Sequence, residues 1–99
     1  MSVGNLVGTI TVLASGAILE IKPSVAGEEW IIHNVYHSHE CSIGIANGGN
    51  TIFFDYDQGS GGWIDYVFHV SQDHYLCIKN TYSGNNTIAY DGIISRVSG

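Results

Sequence analysis

Turn signals constrain this chain more than any other feature. Ser-Gly at 15–16, Asn-Gly-Gly-Asn at 47–50, Gln-Gly-Ser-Gly-Gly at 58–62 and Ser-Gly-Asn-Asn at 83–86 cut it into segments too short for ordinary helices. The segments between them are rich in Val, Ile, Thr, Phe and Tyr, which suit a pleated, half-buried surface. No window of helical length carries apolar residues at the 3.6 spacing without an interrupting Gly or Asn. The pattern predicts strands over 6–14, 17–22, 29–37, 42–46, 51–57, 64–70, 74–80 and 87–97, with the only proline, Pro23, in a crossing loop over 23–28. About eight short strands at fairly even spacing predict an all-β fold, a single antiparallel two-sheet β-sandwich that is jelly-roll-like.

A chain of 99 residues makes one domain, 1–99, with a thin core. Small β domains of this kind often gain stability by associating, so a homo-oligomer is expected. Residues 1–14 are expected either as an N-terminal strand of the same sandwich or as an arm contacting a neighbour. The net charge is -6 and no basic run occurs, so the chain lacks the footprint of a nucleic-acid binder. Charged residues make up 12%, half of the ~25% usual in soluble domains, which suits a surface partly covered by copies or partners. The start, MSVGNLVGTITVLASG, lacks a basic n-region and predicts synthesis in the cytoplasm. No segment approaches the ~20 apolar residues of a membrane span. Two hexapeptides, NTIFFD at 50–55 and NTIAYD at 86–91, read as strands leaving similar turns.

The stretch HNVYHSHEC, residues 33–41, holds three of the five histidines and one of the two cysteines. On an unbroken strand His33, Val35, His37, His39 and Cys41 share one face. At ~3.3 Å per residue His37 and His39 lie roughly 6.6 Å apart, close enough to chelate one ion jointly. His69 or His74 on a neighbouring strand would have to complete such a site, since zinc wants three or four ligands. The pair therefore stands as the candidate metal site, although half-exposed strand-end histidines are the commoner outcome. The cupin pattern fails: Ile31 stands where its glycine belongs, and no glutamate follows His39 at the required distance. Asp55 and Asp57 resemble the start of a calcium loop, but Gly59 and Tyr66 occupy later ligand positions, so solvent-facing aspartates are expected. Cys41 and Cys77 are too few for a disulfide framework and lie where buried, inert thiols are common. Among the aromatics able to stack on a sugar, an exposed Trp63 beside the glycine loop is the strongest candidate for glycan contact.

The runs AGEEWIIHNVY at 26–36, NGGNTIFFD at 47–55, HYLCIKNT at 74–81 and YDGI at 90–93, in that order, resemble small β-sandwich virion proteins of tailed bacteriophages. The similarity is to the capsid decoration (cement) type. It implies a non-enzymatic structural protein that sits on the outer capsid surface of a virion as an oligomer, often a trimer, bridging major capsid protein subunits. It implies no cofactor and transfers no site residue. Two other readings compete: a carbohydrate-binding or host-attachment module of a phage fibre or tail, resting on Trp63, and a small metal-dependent β-barrel enzyme, resting on His37 and His39.

Overall fold

The computed structural model describes residues 2–97, and among these the chain forms nine strands and no helix. In chain order they are β1 (Leu6–Leu13), β2 (Ile18–Ile21), β3 (Glu29–His37), β4 (Cys41–Asn47), β5 (Asn50–Asp57), β6 (Gly61–Trp63), β7 (Phe68–Val70), β8 (Tyr75–Asn80) and β9 (Asn86–Arg96). One sheet runs β1-β9-β3-β6, with β7 also pairing β3; the other runs β2-β8-β4-β5, and every pairing is antiparallel. Taking β6 and β7 as one interrupted strand, the chain alternates between sheets in the order of an eight-stranded jelly roll. The expected two-sheet β-sandwich is what the chain forms.

Short loops join β1 to β2, β3 to β4 and β5 to β6, so β1 stacks over β2 and β6 over β5. The sandwich therefore has two opposite flanks, one edged by β1 and β2, the other by β5 with β6 and β7. Among the described residues the one hairpin within a single sheet is Asn47-Gly48-Gly49-Asn50, where Gly48 at φ 62° and Gly49 at φ 125° supply the positive angles a two-residue connection needs. The 22–28 segment crosses between sheets and buries Pro23.

The core is aliphatic and built from both inner faces. Ile32, Val35, Ile88 and Ile94 come from one sheet, and Ile21, Ile43, Leu76 and Ile78 from the other, all at 0–1% exposure. Each such side chain contributes about 1.5–3 kcal/mol when fully buried. β-branched residues dominate because their stiff side chains pack well on a pleated face.

Three features go beyond the sequence pattern. First, of the two expectations for the N-terminal segment, residues 6–13 form the strand of the same sandwich: β1 pairs with β9 over its whole length, from Leu6 opposite Ile93 to Leu13 opposite Asn86. Secondly, the strand expected at 64–70 is two short strands, one starting earlier at Gly61. Asp65 sits at φ 62°, a left-handed angle that aspartate tolerates, and its N–H donates to Asn34 Oδ1 at 3.0 Å. This stops the ladder between Trp63, opposite Val35, and Phe68, opposite Ile32. Thirdly, β3 carries a register shift between Ile32 and Asn34. His33 is the extra residue, so Ile32, Val35 and His37 face the core while His33 is only half-buried. Period-2 alternation from His33 thus fails at its first step.

Candidate functional site

The β5 flank is where polar anchoring and exposed apolar surface meet. Every residue from Asn50 to Tyr56 is exposed, although the strand is NTIFFDYD. A bulge lies opposite Ile43 and Gly44, leaving Phe54 unpaired. Gly44 permits this, because a Cβ there would collide with the Ile52 carbonyl oxygen. Beyond the bulge, Asp55 and Asp57 turn toward the other sheet. Trp63 Nε1 donates to Asp55 Oδ2 at 2.8 Å, and His37 Nε2 lies 2.8 Å from Asp57 Oδ2. Between them Tyr56 OH donates to Glu40 Oε2 at 2.6 Å. Three consecutive residues thus strap an edge strand to the body of the protein.

These contacts extend one expectation and overturn another. Asp55 and Asp57 are solvent-facing as expected, and each also contacts a buried ring. Trp63 is not exposed: it is 4% accessible, packed tilted against His37 at 5.1 Å between ring centroids. Its glycan-contact role had rested on an open ring face, and that face is covered. Directly before it, Gly62 lets the β6 backbone approach β3, since a Cβ there would collide with the Val35 carbonyl oxygen, and that glycine was the available signal that the following indole turns inward.

The hydrogen bond from Trp63, followed by the backbone N–H of Tyr56, holds the Asp55 carboxyl below the usual carboxylate range. A depressed folded-state value stabilises the fold above the unfolded-state value of ~3.9, and that contribution disappears as pH falls through the folded value. Asp55→Asn keeps an acceptor for Trp63 but removes the titration. Urea midpoints measured below about pH 4 should therefore fall less steeply in Asp55→Asn than in the unsubstituted protein; equal slopes would assign the acid sensitivity elsewhere.

His37 and His39 are not brought together as ligands. β3 ends at His37, and the chain turns through Ser38–Glu40 before β4. His37 has no exposed side-chain surface; its Nδ1 lies 2.8 Å from the His39 carbonyl oxygen, so both ring nitrogens already face partners. The His39 ring stacks on Tyr82 at 3.9 Å and 2°. His69 and His74 are exposed elsewhere, and among the described residues no group of three or more His, Cys, Asp or Glu is placed to hold a metal ion. Cys41 and Cys77 are free and buried. Burial, with a smaller push from Asp57, moves the Cys41 thiol up to about 12, and burial also raises Cys77, first among its causes. Neither thiol is an activated nucleophile.

Two asparagines escaped the sequence reading and organise this end of the sandwich. Asn86 is fully buried at the start of β9. Its Oδ1 accepts from Ser38 N, Ser38 Oγ and His39 N, and its Nδ2 donates to the carbonyls of His39 and Glu40. Asn80, also fully buried, donates to the carbonyls of Leu13 and Gly84 and accepts from Tyr82 N. Their signal was placement at the end of one apolar strand and the start of the next, flanking a turn.

The remaining feature of the surface is its apolar exposure. On the β5 flank Ile52 is 68% exposed, Phe53 41%, Phe54 47% and Tyr56 47%, and beside them Tyr66 is 46% and Val67 59% exposed. Phe68 joins them, 5.1 Å from Tyr66 and 6.2 Å from Phe54 between ring centroids. On the opposite flank Leu6 is 86%, Ile10 74%, Val12 62% and Ile18 50% exposed. Single exposed apolar residues are ordinary, but contiguous sets along sheet edges mark association surfaces. Compared with known proteins, the chain matches no family model and no curated sequence.

Proposed function

We propose that this chain is a non-enzymatic structural protein of a tailed-phage virion, a decoration or cement protein that binds the outer capsid as a homo-oligomer, with a trimer favoured. The observation that carries the reading is the pair of exposed apolar sheet edges. Taking about 200 Å² for a fully exposed large side chain, the six residues of the β5 flank offer roughly 600 Å². That equals the largest patch on a typical monomer, ~300–600 Å², and the β1 flank adds a second. A protein made to be covered by copies of itself and by major capsid protein has a use for both. The attachment-module reading has lost its exposed Trp63, and the metal-enzyme reading has lost its chelating pair.

The mechanism is mass action. A protein that binds the assembled shell and not its dissociated subunits stabilises the shell by about 2.7 kcal/mol per site at one hundred times its Kd. Many modest contacts then sum over the lattice. Undecorated capsids from the same source as the chain, mixed with the purified protein and heated, should rupture several degrees higher than capsids alone. The protein should also sediment with them. An unchanged rupture temperature with no co-sedimentation would remove the decoration reading.

A further inference from the structure

We propose that copies of this chain join head to tail, the β1 edge of one copy lying against the β5 edge of the next. The proposal rests on the self-association part of the reading above and adds which surfaces meet. Both edges are eight residues long, LVGTITVL and NTIFFDYD. Both present one unpaired side of their backbone, since β1 pairs only with β9 and β5 only with β4. Neither carries Lys, Arg or Pro; β1 has none of the usual edge-blunting devices, and β5 has them only from its bulge at Phe54 onward, leaving Asn50–Phe53 regular.

Charge and geometry choose between the pairings. The chain carries -6 overall, and β5 is acidic through Asp55 and Asp57, whereas β1 has no charged residue. Pairing β5 with β5 would bring the acidic strands of two negative copies together, at a cost that pairing with β1 avoids. Pairing β1 with β1 is electrically neutral but leaves the aromatic β5 flank of both copies bare, so a second kind of interface would be required. The head-to-tail contact covers both edges with one interface. Because two different edges meet, the contact is heterologous; it closes into a ring when the rotation per copy divides a full turn and runs on as an open filament when it does not. A trimer is one such ring. The exposed side chains of the two flanks together offer at most roughly 1,100 Å² to such a contact, just under the ~1,200 Å² lower bound for a specific stable interface. A ring strengthens such a contact, because leaving it requires two to break.

Complementation tests this. Ile10→Lys disables the β1 edge and Ile52→Lys the β5 edge; both sites are exposed, so thermal melting should confirm that each variant folds. Leu6→Lys and Phe53→Lys provide a second pair if either does not. By sedimentation velocity the unsubstituted protein should be oligomeric and each variant alone monomeric. An equimolar mixture of the two variants should give a species of two chains and nothing larger, joined through the one intact edge from each. A variant that dimerises by itself, or a mixture that stays monomeric, overturns the head-to-tail pairing while leaving self-association standing. If the unsubstituted protein is a monomer at every concentration, self-association falls as well, and the capsid-binding measurement then decides the decoration role independently.

Discussion

Replacing Asn86 with alanine should lower the free energy of unfolding by about 3–4 kcal/mol, a large part of the 5–15 kcal/mol typical of a domain. The reason is the number of backbone groups that one amide satisfies. The Ser38–Glu40 turn has no ladder partner for several of its polar groups, and Asn86 stands in for one, accepting from Ser38 N and His39 N and donating to the His39 and Glu40 carbonyls at 2.9–3.2 Å. Truncation leaves His39 N–H and the Glu40 carbonyl facing the gap, whereas Ser38 N–H keeps the Thr87 carbonyl and the His39 carbonyl keeps His37 Nδ1; each buried, unmatched group costs about 1–3 kcal/mol. Ser38 is exposed, so water will reach part of the gap, which holds the estimate below the full sum. Asn86→Asp separates hydrogen bonding from packing. It keeps the shape and the acceptor, but it cannot donate, and it sets a carboxylate against two carbonyl oxygens. It should therefore destabilise at least as much as alanine. Urea unfolding of both variants checks this, together with amide exchange at His39 N–H, which should accelerate in the alanine variant. Losses under 1 kcal/mol in both would mean that the turn holds itself.

How far such features can be read from sequence depends on whether they are local. The turns are local: Gly48 and Gly49 take positive φ because their neighbours need a two-residue hairpin, and that is legible in four letters. The alternation of Ile and polar residues in the strands fixed most of the core for the same reason. Which strand lies at an edge is not local. NTIFFD and NTIAYD are nearly the same hexapeptide, yet the first is exposed along its length in β5, while the second sits in β9 between β1 and β3. Only the pairing order distinguishes them, and period-2 patterning carries no information about it. The bulge at His33 is non-local too, since it arises where β3 meets both β9 and the interrupted β6–β7 strand. That one inserted residue separated the histidine cluster into an outward-leaning His33, a sealed His37 and a stacked His39. Trp63 failed for a different reason. The glycines before it mark a turn in the sequence, but Gly62 also serves as clearance for a backbone packed against β3.

His37→Ala should cost about 3–4 kcal/mol, and the companion change Asp57→Asn about 1 kcal/mol or less. The difference follows from where the protons must be. The Nδ1 of His37 faces a backbone carbonyl and its Nε2 faces a carboxylate oxygen, each at 2.8 Å. A carbonyl and a carboxylate only accept, while a neutral imidazole has a single N–H. Both contacts are hydrogen bonds together only when the ring carries two protons; with one proton, one of the two is a contact without a hydrogen bond. Alanine removes a fully buried ring from beside Trp63, opens a cavity and leaves Asn86 Nδ2 as the one side-chain donor to the His39 carbonyl. Asparagine at 57 removes a charge that is 41% exposed and well solvated, so little stability is lost with it. Its amide can donate to Nε2, allowing the ring to become neutral while both contacts survive. Proton NMR should accordingly find two slowly exchanging ring N–H signals from His37 in the unsubstituted protein and one in Asp57→Asn. A single ring N–H in the unsubstituted protein would show that one of the two contacts is not a hydrogen bond. If that proton sits on Nδ1, the end of β5 hangs on Asp55 and Tyr56 alone, and Asp57→Ala should leave the exposure of Phe53 and Phe54 to quenchers unchanged. If Nε2 carries a proton, that same substitution should loosen the strand and increase quenching, because the last residue of the edge is held by this hydrogen bond.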